Sequence, residues 1–345
     1  MPDFTDNAVP DASPILEMID GMRLSKAVFA ALELGVFDYL AAKADTCAGV
    51  AEALSLKSDA LERLLDTCVS VDLLRKQDGV YQTTSLSDTY LVRSSPRSVA
   101  GYMLYANRIS WRLWEHLEDG LAEGTPRWNQ TFGNQADIFS HFFRTEEQKR
   151  TFLAGMHGMG QLSSPQVAAA FDLSKHLVVA DLGGGTGHLA LSICERYPTM
   201  RGIVFDLETV TPVTREYLSR AGALDRITVM SGDFFLEALP SADLYCLGRI
   251  FHDWSEDRIR QLLRKMHAAL PEGGAVLLAE MLLSADKTYP TTALLQSLNM
   301  LMCTDGRERS LDEYRALFES EGFTAVQGVI TGSVLDAIYA IKSSM

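Results

Sequence analysis

The sequence predicts an α/β fold: a mainly parallel, doubly wound, Rossmann-like sheet preceded by a smaller, mainly helical domain. Three observations predict it. From Leu177 onward, short apolar runs alternate with helical stretches, the pattern of strands joined by crossover helices. The first run ends in Asp181-Leu-Gly-Gly-Gly-Thr-Gly187, a strand turning through a loop without side chains into a helix. Upstream, helical patterns lead into a hairpin, the order of a winged helix. At 345 residues the chain exceeds a typical single domain, so two domains are expected.

Hydrophobic content of 47% with 22% charged residues describes an ordinary globular protein. The net charge of −14 argues against a nucleic-acid partner, which would need a basic surface to neutralise phosphates. The start, 1–14, is polar and acidic and reads as a flexible tail without the basic-then-apolar order of a signal peptide. No run is long and apolar enough to span a membrane. The five cysteines are scattered and contain no C-x-x-C, so they read as free thiols in a reducing compartment with no zinc site. The expectation is a cytoplasmic enzyme with no resident metal.

Taken in order, Ile15 to Leu40 keeps helical spacing, and Ala48–Leu56 and Ser58–Leu74 are two further helical patterns. Leu74 to Thr84 reads as strand, Asp78-Gly79 turn, strand. These elements define a winged-helix domain over 15–98. The acidic balance favours packing and dimerisation over DNA binding as its role. The stretch 99–170 is a helical linker, rich in aromatics such as Trp111, Trp114, Trp128 and Phe143; it reads as core or as a lid contributing to a substrate pocket. In 171–345 the expected strands are Leu177–Asp181, Gly202–Asp206, Ile227–Ser231, Leu244–Leu247, Ala275–Glu280, Thr324–Val329 and Ala337–Ile341. Helices are expected at His188–Tyr197, Val210–Ala221, Glu256–Leu270 and Ser310–Glu321. The last two strands are joined too briefly for a parallel crossover, so they pair antiparallel.

A dinucleotide fingerprint needs G-x-G-x-x-G, but His188 stands where the third glycine belongs. The spacing of Gly183, Gly185 and Gly187, with Asp181 ahead of it, suits an adenosyl ligand whose amino-acid tail lies along the loop. Asp206, at the end of the next strand, is placed to take both ribose hydroxyls. Gly232-Asp-Phe-Phe235 follows the third strand; Asp233 either accepts from an adenine amino group or caps a helix, and an aromatic covers the base. Three loops at the carboxyl ends of successive strands point to S-adenosylmethionine.

The fourth strand runs into Gly248-Arg-Ile-Phe-His-Asp-Trp254, which puts His252 just past a strand end on the ligand side. Methyl transfer from a sulfonium requires alignment of the acceptor and removal of its proton. His252 is the candidate general base, with Glu280 and Glu308 as supporting carboxylates. For Glu280 a salt bridge to Arg307 or Arg309 is the alternative. Met156, Met159, Met300 and Met302, beside Phe152, either line an acceptor pocket or pack the core.

These residues resemble the plant-type small-molecule O-methyltransferases, the family of caffeic acid and flavonoid enzymes, over about Ile15 to Lys342. The likeness rests on Ala31-Leu-Glu-Leu-Gly-Val-Phe-Asp38, Asp181–Gly187, Gly232–Phe235, His252-Asp-Trp254 and Gly306-Arg-Glu-Arg309. Within that family the chain is most similar to the hydroxyindole (acetylserotonin) branch. The resemblance implies a class I methyltransferase sheet, a homodimer through the first domain, and catalysis by His252 flanked by Glu280 and Glu308. It implies S-adenosylmethionine contacts from Phe143, Asp206, Gly232, Asp233, Phe234 and Arg249, and acceptor contacts from Asp253, Asn299 and Cys303. The expected acceptor is a small hydroxylated aromatic, with N-acetylserotonin or a related hydroxyindole foremost. A phenolic or polyketide acceptor, or a non-catalytic cofactor-binding homologue, is the alternative. Two departures from the family pattern stand out: Gly160 where a tryptophan is expected near the cofactor, and Cys303 where the animal enzymes carry glutamine.

Overall fold

The computed structural model describes residues 10–133 and 145–343. The chain divides into two compact units, 1–107 and 108–345. In the first, α1 (Ser13–Glu33), α2 (Val36–Ala42), β1 (Asp45–Thr46), α3 (Cys47–Ala53) and α4 (Ser58–Ser70) precede a hairpin of β2 (Leu74–Gln77) and β3 (Val80–Thr83). The single helix expected from Ile15 to Leu40 is two, because Gly35 adopts a left-handed conformation between them. Asp78 and Gly79 both have positive φ, which gives the two-residue turn that pairs Gln77 with Val80. Leu32, Phe37, Leu65 and Tyr81 close the core of this unit, while Ile15, Leu16, Met18, Ile19 and Met22 of α1 stay exposed.

The second unit begins with short helices α5 (Trp111–Trp114), α6 (Leu117–Glu123) and α7 (Trp128–Phe132), then the long α8 (Glu146–Ala169). Strands and helices then alternate: β4 (Val178–Leu182), α9 (His188–Arg196), β5 (Arg201–Asp206), α10 (Thr211–Arg220), β6 (Ile227–Ser231), β7 (Leu244–Gly248), α11 (Glu256–Ala269) and β8 (Ala275–Glu280). After β9 (Leu282–Leu283) come α12 (Thr291–Cys303), β10 (Arg309–Ser310), α13 (Leu311–Ser320), β11 (Phe323–Val329) and β12 (Asp336–Lys342). The main sheet has the order β11-β12-β8-β7-β4-β5-β6. The five strands from β8 to β6 are parallel, and the two terminal strands run antiparallel, as expected.

Alternate residues of each strand feed two separate cores. On one face Leu182, Tyr245, Leu247, Val276 and Leu278 pack against Ile259, Leu262, Leu263 and Met266 of α11, an i, i+3, i+4, i+7 stripe. On the other, Val179, Val204, Cys246 and Leu277 meet Val167 of α8 and Leu189, Ala190 and Ile193 of α9. Between β4 and β7 the strand order reverses, and a crevice opens there at the carboxyl ends of the strands.

Candidate active site

That crevice is a cavity of about 1260 Å³, and the described residues that line it belong to the second unit. That is above the roughly 300–1,000 Å³ of an ordinary ligand pocket. Gly183, Gly185 and Gly187 have φ of 69°, 56° and 80°, a backbone path that side-chain-bearing residues rarely follow. The turn therefore lays bare main chain along the cavity floor. Asp206 closes β5 with its carboxylate held by amides, Gly185 N–H donating at 2.7 Å and Leu207 N–H at 2.7 Å. Burial raises its pKa to about 6 against the effect of those donors.

Gly232, Asp233 and Phe234 line the cavity beyond β6. A Cβ on Gly232 would overlap the Phe205 ring, so the close approach there demands glycine. Phe235 N–H donates to Asp233 Oδ1 at 2.7 Å, so the carboxylate closes a turn over 234–236; no helix starts there for it to cap. Phe234, Phe235 and Trp254 form an aromatic wall, with Phe235 and Trp254 centroids 5.0 Å apart and the Arg258 guanidinium 3.9 Å from the Phe235 centroid.

Arg249 also lines the cavity, just after β7, at φ 57°. A non-glycine residue in that region stores strain, and its Nη2 is buried with no hydrogen-bond partner. A half-buried cation with one buried, open donor fits the carboxylate of an amino-acid ligand. Asp181, expected at the cofactor, does not reach the cavity. It is 1% exposed beneath the glycine turn, where it accepts from Ala190 N–H at 3.2 Å and ties the turn to α9. Burial raises its pKa to about 7. Phe143 lies outside the described residues.

His252 sits on a short turn, Phe251–Asp253, between cavity-lining Ile250 and Asp253. Its Nδ1 is 2.7 Å from Glu308 Oε1 and 3.5 Å from Glu280 Oε2. Its Nε2 edge faces Asp253, with Oδ1 at 3.7 Å. Both glutamates are fully buried. Glu280 also accepts from the amides of Ile250 at 3.0 Å and Phe251 at 2.8 Å, which fixes the turn carrying the histidine. Burial would lower the His252 pKa, but Glu280, Glu308 and Asp253 outweigh it and raise it to about 10. Burial raises Glu280 to about 7, with His252 opposing. The three side chains are also a grouping whose donor atoms could hold a metal ion.

Neither arginine pairs with Glu280. Arg307 pairs with Glu256 at 3.0 Å and Glu313 at 2.8 Å. Arg309 is buried and donates to the carbonyls of Phe251 at 3.2 Å and Trp254 at 3.3 Å, which bracket His252. A Cβ on Gly306 would overlap the His252 carbonyl, so the segment Gly306–Arg309 clamps the turn by close backbone approach as well. The parallel pair β9–β10, with Arg309 opposite Leu282, brings Glu308 beside the end of β8.

Of the residues expected to face the acceptor, Met156, Phe152, Asp253 and Cys303 line the cavity. Met159, Asn299, Met300 and Met302 do not. Asn299 accepts from Trp114 Nε1–H at 2.9 Å, and Met300 is 4% exposed in the core, as is Met302 at 0%. On α12, Asn299 meets Trp114 of α5 and Met302 packs against Gly120 of α6. Trp128, one of the linker aromatics, lines the cavity too, as do Arg127 and Thr304, which the sequence does not single out, and Trp128 Nε1–H donates to the Cys303 carbonyl at 2.7 Å. The aromatic density of the linker was the signal for Trp128; nothing local marked Thr304.

A ligand with an adenosyl end and an amino-acid end fits this crevice, with a histidine–carboxylate cluster at its margin. The class so defined is the S-adenosylmethionine-dependent methyltransferases. The family described as O-methyltransferase domain matches residues 114–324, and its dimerisation domain matches 16–93. Acetylserotonin O-methyltransferase of Bos taurus is 41% identical over 96% of this chain and 97% of its own length. A probable bifunctional dTTP/UTP pyrophosphatase/methyltransferase protein of Homo sapiens is 39% identical over 96% of this chain and 54% of its own. The crystal structure of human N-acetylserotonin methyltransferase in complex with SAM superposes with a TM-score of 0.91 at 36% identity, covering 99% of this chain and 100% of that one. The chain belongs to the S-adenosylmethionine-dependent O-methyltransferase family.

Proposed function

We propose that the enzyme methylates the hydroxyl of a small flat aromatic, a hydroxyindole of the N-acetylserotonin type foremost, with His252 as general base. The observation that carries the base assignment is the 2.7 Å contact between His252 Nδ1 and Glu308 Oε1. It fixes the ring so that Nε2 is the edge left to take a proton. S-adenosylmethionine supplies an activated methyl group when bound; Asp206, Asp233 and Arg249 are the side chains suited to hold it. Asp253 flanks Nε2 and Met156 and Trp128 offer apolar surface for a planar ring.

A phenolic hydroxyl has a pKa of about 10, and an ordinary imidazole about 6.5, so proton transfer between them is uphill. The surrounding carboxylates lift His252 to about 10 and remove that mismatch. Glu280 Oε2 and Glu308 Oε2 take no hydrogen bond, which leaves negative charge free to stabilise the imidazolium as it forms.

The hydroxyindole reading draws on the printed activities of the relatives. Cys303 and the nearly equal likeness to a human methyltransferase whose name gives no acceptor favour a second reading, a phenolic or polyketide hydroxyl. Labelled methyl transfer to N-acetylserotonin, catechols, flavonoids and polyketide phenols tests the two. The highest kcat/KM is expected for a hydroxyindole; turnover of phenols with none of any hydroxyindole would overturn the first reading.

The dimerisation-domain match and the exposed apolar residues of α1 support a homodimer in solution. Light scattering should give twice the chain mass, and Met18→Glu with Met22→Glu should shift it toward the monomer. Among the described residues no helix is long and apolar enough to cross a membrane.

A further inference from the structure

His188 opens α9 at the end of the glycine turn and lines the cavity, yet nothing in the chemistry above uses it. A Cβ on Gly160 of α8 would overlap the Cδ2, Cε1 and Nε2 atoms of its ring. The imidazole therefore lies flat on the backbone of Gly160, in the space a side chain at 160 would need. Its Nδ1 is 2.8 Å from the buried hydroxyl of Ser164, one helical turn further along α8. That hydroxyl has no other hydrogen bond among the described residues; donating to Nδ1, it would leave the ring proton on Nε2. Burial, with the Arg249 guanidinium adding to it, keeps the ring neutral and lowers its pKa to about 3.

The order of the sheet says what lies in front of Nε2. With ribose at Asp206 on β5 and adenine at Asp233 beyond β6, the far end of the cofactor must run back across β4 toward β7. His188 and Arg249 stand there, one after β4 and one after β7, and Arg249 Nη2 is buried without a partner. We propose that His188 is a cofactor-binding residue, its Nε2–H donating to the amino-acid carboxylate of S-adenosylmethionine beside Arg249. Gly160, Ser164 and His188 then act together: the glycine makes room for the ring, the serine fixes its tautomer, and the imidazole grips the tail. This role deepens the methyltransferase reading and rests on it.

The test compares a ligand that has the tail with one that lacks it. Calorimetric binding of S-adenosylhomocysteine and of 5′-methylthioadenosine is measured for the full-length protein and for His188→Ala. One hydrogen bond to a charged group predicts about tenfold or greater weakening of S-adenosylhomocysteine, with methylthioadenosine affinity kept within about twofold. Ser164→Ala should give the same pattern more weakly, and His188→Gln, which keeps a donor near the Nε2 position, should recover part of the loss. Should His188→Ala fail to fold, the Ser164→Ala and His188→Gln pair carries the comparison. Unchanged S-adenosylhomocysteine affinity, or equal loss of both ligands, overturns the role of His188. Failure of the unaltered protein to bind either ligand overturns the cofactor reading itself.

Discussion

Glu308 Oε1 lies 2.7 Å from His252 Nδ1, and both side chains are almost wholly buried. A charge-assisted contact of that length orients the imidazole and stabilises its protonated form. Replacing the carboxylate by an amide keeps the shape and removes the charge. For Glu308→Gln, kcat is expected to fall by about 10²-fold, with S-adenosylhomocysteine affinity within about twofold of the unaltered protein. Steady-state kinetics together with calorimetry check both halves. A loss confined to cofactor affinity would count against the pairing as a catalytic element.

The same cluster fixes the direction of the pH dependence. Burial depresses the imidazole, but Glu280, Glu308 and Asp253 together hold it up at about 10. A base works only when neutral, so kcat/KM should climb about tenfold per pH unit from neutrality toward pH 9. Removing one negative charge weakens the hold on that proton. In Glu280→Gln the climb should therefore begin at lower pH, although the maximum falls. The three groups titrate as a set, and it is the shift between profiles that tests the coupling. Superimposable profiles would mean that Glu280 does not face the base.

Cofactor affinity should respond to acid through Asp206. Burial raises its pKa to about 6, above an ordinary aspartate. Below that pH the carboxyl is protonated and gives up an acceptor for the ribose hydroxyls. The Kd for S-adenosylhomocysteine should thus rise as pH falls through 6, and Asp206→Asn should weaken binding by about tenfold or more at pH 7 and flatten the dependence. Binding that is indifferent to pH between 5 and 7 would contradict the placement of the ribose.

His252, Glu280 and Glu308 are also spaced as metal ligands could be. The 2.7 Å Nδ1–Oε1 separation is that of a direct hydrogen bond. Methyl transfer is therefore expected to persist, within about twofold, after dialysis against excess chelator. Complete loss, restored by a divalent cation, would replace the base mechanism with a metal-assisted one.

Much of this site is legible in the sequence because its parts are local. A glycine-rich turn between an apolar run and a helix can be read from consecutive residues, and so can an acid at a strand tip. Asp206 ends a strand, Asp233, Arg249 and His252 each follow a strand by one to four positions, and all reach the cavity or its edge. What was not legible depends on which way a residue faces after the chain returns. Asp181 is in the right strand but points beneath the turn, toward Ala190. Asn299 and Met300 lie on a helix whose rotation is set by Trp114 and the short helices, not by any pattern of its own. The two-residue pair β9–β10 is too short to leave a periodic signal, yet it sets Glu308 beside Glu280. His188 registered only as a missing glycine; its partner Gly160, equally conspicuous for a missing tryptophan, lies in another helix.

The central claim is that His252 takes the acceptor's proton. The most direct measurement is single-turnover methyl transfer to a hydroxyindole by His252→Gln, with S-adenosylhomocysteine affinity measured on the same preparation. The rate is predicted to fall by about 10²-fold or more while the Kd stays within about twofold. A transfer rate within about threefold of the unaltered enzyme, at unchanged affinity, would contradict the assignment.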